Sequence, residues 1–552
     1  MTSDALSPAL PRDERMFPTL TREQIARVAA CGRRRAVERD EVLVKAGQEH
    51  YPFFLVVDGQ IEIISSSALR ERVVTTQGPG QFTGEVNMLN GRRGLATIRV
   101  LEAGEVIEVP RETLLNLVQT DGELGEILMR AFILRRVELI ARGFGDVVLL
   151  GSIYSPGTLR VKEFLSRNGH PYTYIDLDRD AGVQELLDRF RVDAADVPVV
   201  ICRGQSVLRD PTNEEIADCL GFNQSIDETR IRDVVVIGAG PSGLAAAVYA
   251  ASEGLDVLVL ESNSPGGQAA ASSRIENYLG FPTGISGQEL AARAFTQAEK
   301  FGAELMVAKG AAHLACERRP YAVEIENGGR VPARTVVIAT GAEYRTLPIE
   351  NLTRFHGMGV YYGATPIESQ LCKVEDVIVV GGGNSAGQAA VFLAQSVRRV
   401  IMLVRSEQLA ESMSRYLIRR IETNPSIEVH TQSEVLALEG GTHLERVRWR
   451  DGENELMDKV RHLFVMTGAV PATQRLEGCV ALDANGFIKT GPDLSHDDLA
   501  SWPLARSPHL LETGLPGVFA VGDVRAGNIK RVASAVGEGS IAIAFVHQVL
   551  HE

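Results

Sequence analysis

The stretch DVVVIGAGPSGLAAAVYAASEGLDVLVLES, residues 233–262, reads as a strand, a glycine-rich turn, a helix and a second strand. DVVVIG is an unbroken apolar run suited to a strand buried on both faces, and a helix of small residues opens at Pro241–Ser242. Gly238, Gly240 and Gly243 hold the three glycine positions of a G-x-G-x-x-G turn. The first permits the tight turn, the second lets backbone approach a pyrophosphate, and the third lets helix and strand pack closely. Unpaired N–H groups and the positive end of the helix dipole then face the phosphates. The second strand ends in Glu261, placed to accept from a ribose hydroxyl. Strand, turn, helix and acid in this order predict a dinucleotide-binding α/β domain.

Residues 376–406, DVIVVGGGNSAGQAAVFLAQSVRRVIMLVRS, repeat the design. Gly381, Gly383 and Ala386 take the fingerprint positions, with Asn384 and Ser385 between them opening the helix. The strand after that helix ends in Arg405 where the first site has Glu261. A guanidinium there suits a 2′-phosphate that a carboxylate would repel, so NADPH is favoured over NADH. Arg415 either joins it or is a solvated helix residue. One site with Glu and one with Arg imply bound FAD and visiting NADPH.

Through these motifs and four more, residues 231–552 resemble the low-molecular-weight thioredoxin reductases, a family of FAD- and NADPH-dependent pyridine nucleotide-disulfide oxidoreductases. SPGGQ (264–268), IENYLGFP (275–282), VIATGA (337–342) and VFAVGDVRAGNIKRVASAVGEG (518–539) match the family's motifs. The resemblance implies that Gly267, Gln268, Asn277 and Gly341 belong to the FAD site. It also implies that Asp523, of the Gly522-Asp523 pair in the FAD site, holds the ribityl chain, with Arg531 and Val532 near the isoalloxazine. Residues 231–348 and 469–552 would form the FAD domain around an NADPH domain of 349–468. Such enzymes are usually homodimers whose two domains rotate to exchange NADPH for a redox disulfide at the flavin.

That disulfide is missing. The family carries Tyr-Cys-Ala-Thr-Cys where this chain has Tyr362-Gly363-Ala364-Thr365-Pro366. Neither Gly363 nor Pro366 can accept two electrons, and Cys372, six residues beyond, reads as a structural thiol. Flavin reduction by NADPH is expected, with electrons leaving from the flavin to a thioredoxin-like or ferredoxin-like protein, a quinone, oxygen or an external disulfide. A ferredoxin–NADP reductase of the same fold, and a nucleotide- or redox-sensing regulatory flavoprotein, are the alternatives.

Upstream, glycine-punctuated β runs followed by a helical stretch over 112–142 predict a rolled β-barrel with helices across 17–142. This segment resembles a cyclic-nucleotide-binding domain. In TGEVNMLNGRRGLATIRV, Glu85 matches the family's ribose-binding acid, while Arg93 stands one residue from the position of its phosphate-clamping Arg. A cyclic nucleotide is therefore one reading and a barrel retained for contacts the other.

Residues 146–221 alternate strand and helix and resemble a glutaredoxin or thioredoxin-like fold. Its Cys-Pro-x-Cys is replaced by Ser155-Pro156-Gly157-Thr158 after Tyr154, and Val197-Pro198 stands at the fold's cis-proline site. Residues 1–16 read as a polar tail and 222–230 as a linker. The fold class is thus multidomain, a β-barrel, a small α/β domain and two Rossmann-like domains.

The totals exclude other classes. A net charge of −14 with no basic run argues against nucleic acid. No apolar stretch is expected to reach the ~20 residues of a membrane span, and no signal pattern opens the chain, so a cytoplasmic protein is expected. The six cysteines have no C-x-x-C spacing and read as six separate thiols with no metal among them.

Overall fold

Apolar alternation and turn glycines shape the first half of the chain. The computed structural model describes residues 12–66, 71–142, 146–152, 155–179, 196–203, 206–272, 274–474 and 478–552. They fall into two units. The first comprises Met1–Gly151, Gly169–Gln224 and Glu299–Glu304, the second Ser152–Asn168, Ser225–Ala298 and Leu305–Glu552.

In the first unit, strands β1 (Arg33–Val37), β2 (Val42–Val44), β3 (Phe53–Ser66), β4 (Glu71–Gln77) and β5 (Ala96–Val109) make one antiparallel sheet in the order β1-β5-β3-β4, with β2 also on β5. Phe53, Phe82 and Phe132 are fully buried among its core aliphatics. The helical stretch expected over 112–142 is two helices, Arg111–Thr120 and Gly122–Ala141. Asp121 breaks it: its backbone is extended and its carboxylate accepts from Leu124 N, capping the second helix.

Strands β6 (Val147–Gly151), β7 (Tyr172–Asp176), β8 (Val199–Cys202) and β9 (Ser206–Arg209) form a second sheet in the order β7-β6-β8-β9. β6 is parallel to β7 and antiparallel to β8. The expected strands are present here, and the Val197–Pro198 peptide is cis. The helix expected over 183–190, like Tyr154, lies outside the described residues.

The second unit is built on two large sheets. The strands of the first are β10 (Arg232–Ile237), β11 (Val257–Glu261), β12 (Glu304–Val307), β13 (Ala311–Ala315), β14 (Tyr321–Ile325), β15 (Arg330–Ile338) and, from the end of the chain, β26 (Val518–Ala520). They follow the order β12-β11-β10-β15-β14-β13, with β26 added on β15. Val234–Ile237 pair in parallel with β11 on one side and β15 on the other, which places the first glycine turn at the carboxyl end of a central strand.

The chain leaves this sheet through β16 (Ala342–Tyr344) and returns through β25 (Ala469–Pro471), which pair antiparallel. Between them stand β17 (Val360–Tyr361), β18 (Asp376–Val380), β19 (Arg399–Val404), β20 (Ile427–Thr431) and β24 (His462–Val465), a parallel sheet in the order β17-β24-β18-β19-β20. A small antiparallel sheet of β21 (Ser433–Glu439), β22 (Arg446–Asp451) and β23 (Asn454–Asp458) fills the interval between β20 and β24.

Two expectations are corrected. Helix Val532–His551 is, by length and composition, apolar enough to cross a membrane, although no such stretch is expected from the sequence. Its apolarity has a packing reason: it lies on helix Pro241–Ser252, so closely that a Cβ on Gly539 would sit 2.2 Å from Ser242 O. The thiols are also not all separate. Cys316 and Cys479 form a disulfide with Cα atoms 6.0 Å apart, because the fold brings together segments 163 residues apart in sequence. Cys31, Cys202, Cys219 and Cys372 are free.

Candidate active site

The two glycine turns are shaped by what a Cβ would strike. At Gly238, with φ +102°, it would lie 2.4 Å from Ala339 O, and at Gly243 1.9 Å from Gly238 O. At Gly240 it would meet nothing within 4 Å, so this backbone faces open space. The second turn repeats the pattern: a Cβ on Gly381 would lie 2.3 Å from Met466 O, while Gly383 is open.

The helices that follow start at N-cap residues Gly240 and Gly383 without a side-chain cap, and helix Val532–His551 starts likewise at Arg531. Thr21, Asp121, Thr212 and Thr365, by contrast, cap their own helices. The uncapped N–H groups remain available to anions.

All three helix starts line one cavity of about 1330 Å³. Gly238, Gly240 and Ser242 stand at one part of its wall, and Gly381, Gly383, Asn384, Ser385 and Arg405 at another. Glu261 lines it too, buried, with its two carboxylate oxygens accepting from Ala239 N (2.8 Å) and Asn263 N (2.9 Å). Burial pushes its carboxyl above the ordinary value. Each oxygen keeps a lone pair for a ribose hydroxyl.

Ser264, to which the sequence alone assigns no role, is 2% exposed on the same wall, and its Oγ has no protein partner. An orphaned buried hydroxyl beside an open glycine turn fits a phosphate-bearing dinucleotide. Its motif position, directly before the PGGQ stretch, is the available signal.

Gly267, Gln268, Gly341, Asp523, Arg531 and Val532 also line the cavity. Burial raises the Asp523 carboxyl, against which Lys530 works. Gly243, Gly522 and Ala386 stand behind the wall rather than on it. A Cβ on Gly522 would lie 2.4 Å from Ser242 Oγ, and Ala386 is fully buried. Asn277 is exposed and is not among the lining residues, nor is Arg415.

Tyr344 and Tyr362 line the cavity with rings stacked at 6.0 Å, a flat apolar surface suited to a planar partner. Burial holds the Tyr362 phenol up and the His356 imidazole down, and the Tyr362 hydroxyl is hydrogen-bonded to His356 Nε2 at 2.8 Å. Next to Tyr362, Gly363 lines the cavity, and a Cβ there would be 3.4 Å from Ala271 Cβ.

Pro366 is off the wall, at the first position of helix Pro366–Leu371, where its missing N–H costs nothing. Cys372 is fully buried, its Sγ donates to Glu368 O at 3.0 Å, and burial pushes its thiol up to about 12. It is a structural thiol, as expected.

In the first unit, Glu85 and Arg93 are both engaged. Glu85 pairs with Arg136 of helix Gly122–Ala141 at 3.0 Å, both side chains nearly buried, and Arg93 pairs with Glu49 at 2.5 Å.

Comparison with known proteins agrees with this geometry. Residues 232–539 match the family model described as pyridine nucleotide-disulphide oxidoreductase, and residues 34–121 the cyclic nucleotide-binding domain. The chain is similar to the thioredoxin reductase of Bacillus subtilis, 31% identical over 59% of this chain and 97% of that protein. It is 32% identical to NADPH-dependent thioredoxin reductase 3 of Arabidopsis thaliana over 61% of this chain, spanning 64% of that protein's length. Among solved structures, the thioredoxin reductase of Lactococcus lactis in its FR conformation superimposes with a TM-score of 0.52 at 25% identity, over 58% of this chain and 100% of that one.

Proposed function

The chain belongs to the pyridine nucleotide-disulphide oxidoreductases and is an FAD-dependent NADPH oxidoreductase of thioredoxin reductase type; from that premise we propose that its acceptor is reduced without a disulfide carried by the flavin site itself. The carrying observation is the pair Gly363 and Pro366, with the neighbouring thiol of Cys372 buried and held protonated.

FAD, when bound, supplies the two-electron chemistry between NADPH and acceptor; the protein binds, orients and screens. In this reading the uncapped helix starts at Gly240 and Gly383 hold the two pyrophosphates. Glu261 holds an adenosine ribose, and Arg405 clamps the 2′-phosphate that selects NADPH. Asp523, Gln268, Arg531 and Val532 position the flavin end.

The acceptor class favoured is one that takes electrons directly, a ferredoxin-like protein or a quinone, with a thioredoxin-like protein disulfide as the competing class. The proposal includes a cytoplasmic homodimer, with FAD held by 231–348 and 469–552 and NADPH by 349–468. The pairing of β16 with β25 at the base of the insertion supports those limits.

The test is an anaerobic absorbance titration with NADPH. Bleaching of the flavin complete at about one equivalent is expected, and a requirement for about two overturns the proposal by exposing a second two-electron store.

The barrel of residues 17–142 is proposed as a contact module rather than a nucleotide sensor. Arg93, the residue that would clamp the cyclic phosphate, is paired with Glu49, so binding a cyclic nucleotide would first break that ion pair. Excess cyclic AMP is expected to leave the thermal midpoint unchanged; a rise of several degrees would show a working site.

A further inference from the structure

Two of the free cysteines meet in the first unit. Cys202 closes β8 and is 2% exposed, while Cys219 lies half-buried in the last turn of helix Asn213–Leu220, which packs on β8 and β9. The two thiols lie within hydrogen-bonding reach of each other, close enough that each shifts the other's titration, and Ser206 acts on Cys219 as well. Arg203 adds positive charge at the same place. Its Nη2 donates to Cys219 O at 3.1 Å, and its Nε stands 3.4 Å from Asp146 Oδ2.

The two sulfurs play different parts. The nearby Cys202 S–H, helped by the Arg203 charge and Ser206, lowers the Cys219 thiol to about 7 against burial and the Asp146 carboxylate. The same proximity, with burial, pushes the Cys202 thiol far up. A partly accessible thiolate beside a buried protonated thiol is the arrangement of an attacking and a resolving sulfur. C-x-x-C spacing is absent because the pair is assembled by strand–helix packing across 17 positions of sequence.

We propose that Cys202 and Cys219 form an oxidisable dithiol that a hydroperoxide converts to a disulfide. The Cys219 thiolate attacks the distal peroxide oxygen, the O–O bond breaks, and the alkoxide or hydroxide leaves and takes up a proton, giving Cys219–SOH. Cys202 sulfur then attacks Cys219 sulfur. The S–O bond breaks and the oxygen leaves as water with the Cys202 proton. The two thiols lose two electrons and the peroxide gains them. A small oxidant is favoured because only one sulfur is accessible, and that one only in part.

The test uses the full chain without NADPH. It is treated with hydrogen peroxide, blocked with N-ethylmaleimide in guanidinium and digested with trypsin, which cuts at Arg203 and Arg209 and so separates the two cysteines. The expected product is a Cys202–Cys219 cross-linked peptide pair, short of two hydrogens and of both maleimides, that dithiothreitol abolishes. Cys31 and Cys372 stay alkylatable after the treatment that cross-links the pair.

In Cys202→Ser, Cys219 is expected to persist as a sulfenic acid captured by dimedone. Full alkylation of Cys219 after peroxide, oxidation of Cys219 while Cys202 remains alkylatable, or a Cys219 disulfide to any other cysteine overturns the proposal. The peptide map of the unmodified chain decides the matter even if the variant fails to fold.

Discussion

Position 363 is where the family resemblance implies a cysteine and this chain has glycine, and its surroundings say what a cysteine there would do. Gly363 has no positive φ, lines the cavity, and has room for a Cβ at van der Waals distance from Ala271. Pro366 starts a helix that Thr365 and Glu368 already cap reciprocally, so a cysteine there keeps the helix start. The double variant Gly363→Cys/Pro366→Cys is therefore expected to fold and to raise the NADPH needed for full reduction from about one to about two equivalents. An unchanged one equivalent with both thiols oxidised would mean that the segment does not face the flavin. At this scale the sequence discloses residues whose type is demanded by a motif, such as Gly238, Glu261 and Arg405. It hides Ser264, Tyr344 and Tyr362, ordinary residues made relevant by the wall they share. Asn277 matches its motif, but its side chain is exposed and is not among the residues lining the cavity.

Elements show the same division between local and assembled information. The strand–turn–helix of 233–252 is readable because every step of it is local, and its third glycine is the strictest. Replacing Gly243 by Ala would gain about 1 kcal/mol of helix propensity. The added Cβ would, however, stand 1.9 Å from Gly238 O, a backbone atom that cannot swing aside. The cost of separating helix from strand, about 1–3 kcal/mol or more, exceeds the gain. Gly243→Ala is thus expected to lower both the thermal midpoint and the flavin-to-protein absorbance ratio; retention of both would mean that the turn tolerates a wider opening. The stretch 112–142 shows the converse. Its apolar spacing runs through as one helix, and only the extended backbone and capping carboxylate of Asp121, fixed also by two bonds from Arg27, divide it. Helix Val532–His551 looks apolar enough for a membrane because its buried face must meet helix Pro241–Ser252 at near-backbone distance.

Across the whole molecule, the Cys316–Cys479 disulfide has the widest reach and is the least legible in sequence, since 163 residues separate its ends. That interval contains the entire sheet built between β16 and β25, so the bond ties the segments on either side of the inserted domain. In the chain-entropy model, closing a loop of that length restrains the unfolded chain by up to about 5 kcal/mol, reduced by whatever structure the unfolded state retains. Cys479 Sγ also lies 3.1 Å from Leu314 O, against the core that β13 and β14 share. The bond therefore holds a site already packed, and its loss should change stability more than shape. Neither sulfur lines the cavity that joins the two glycine turns. The bond is thus expected to be a staple and not an electron store. Cys316→Ser, or the reduced wild type, should unfold at lower guanidinium concentration with a steeper slope, because the unfolded chain freed of the crosslink exposes more surface. The variant should still bleach at about one equivalent of NADPH. A lower NADPH requirement in Cys316→Ser than in the wild type would show that this disulfide takes the flavin's electrons, and would make it the relay that Gly363 and Pro366 cannot be.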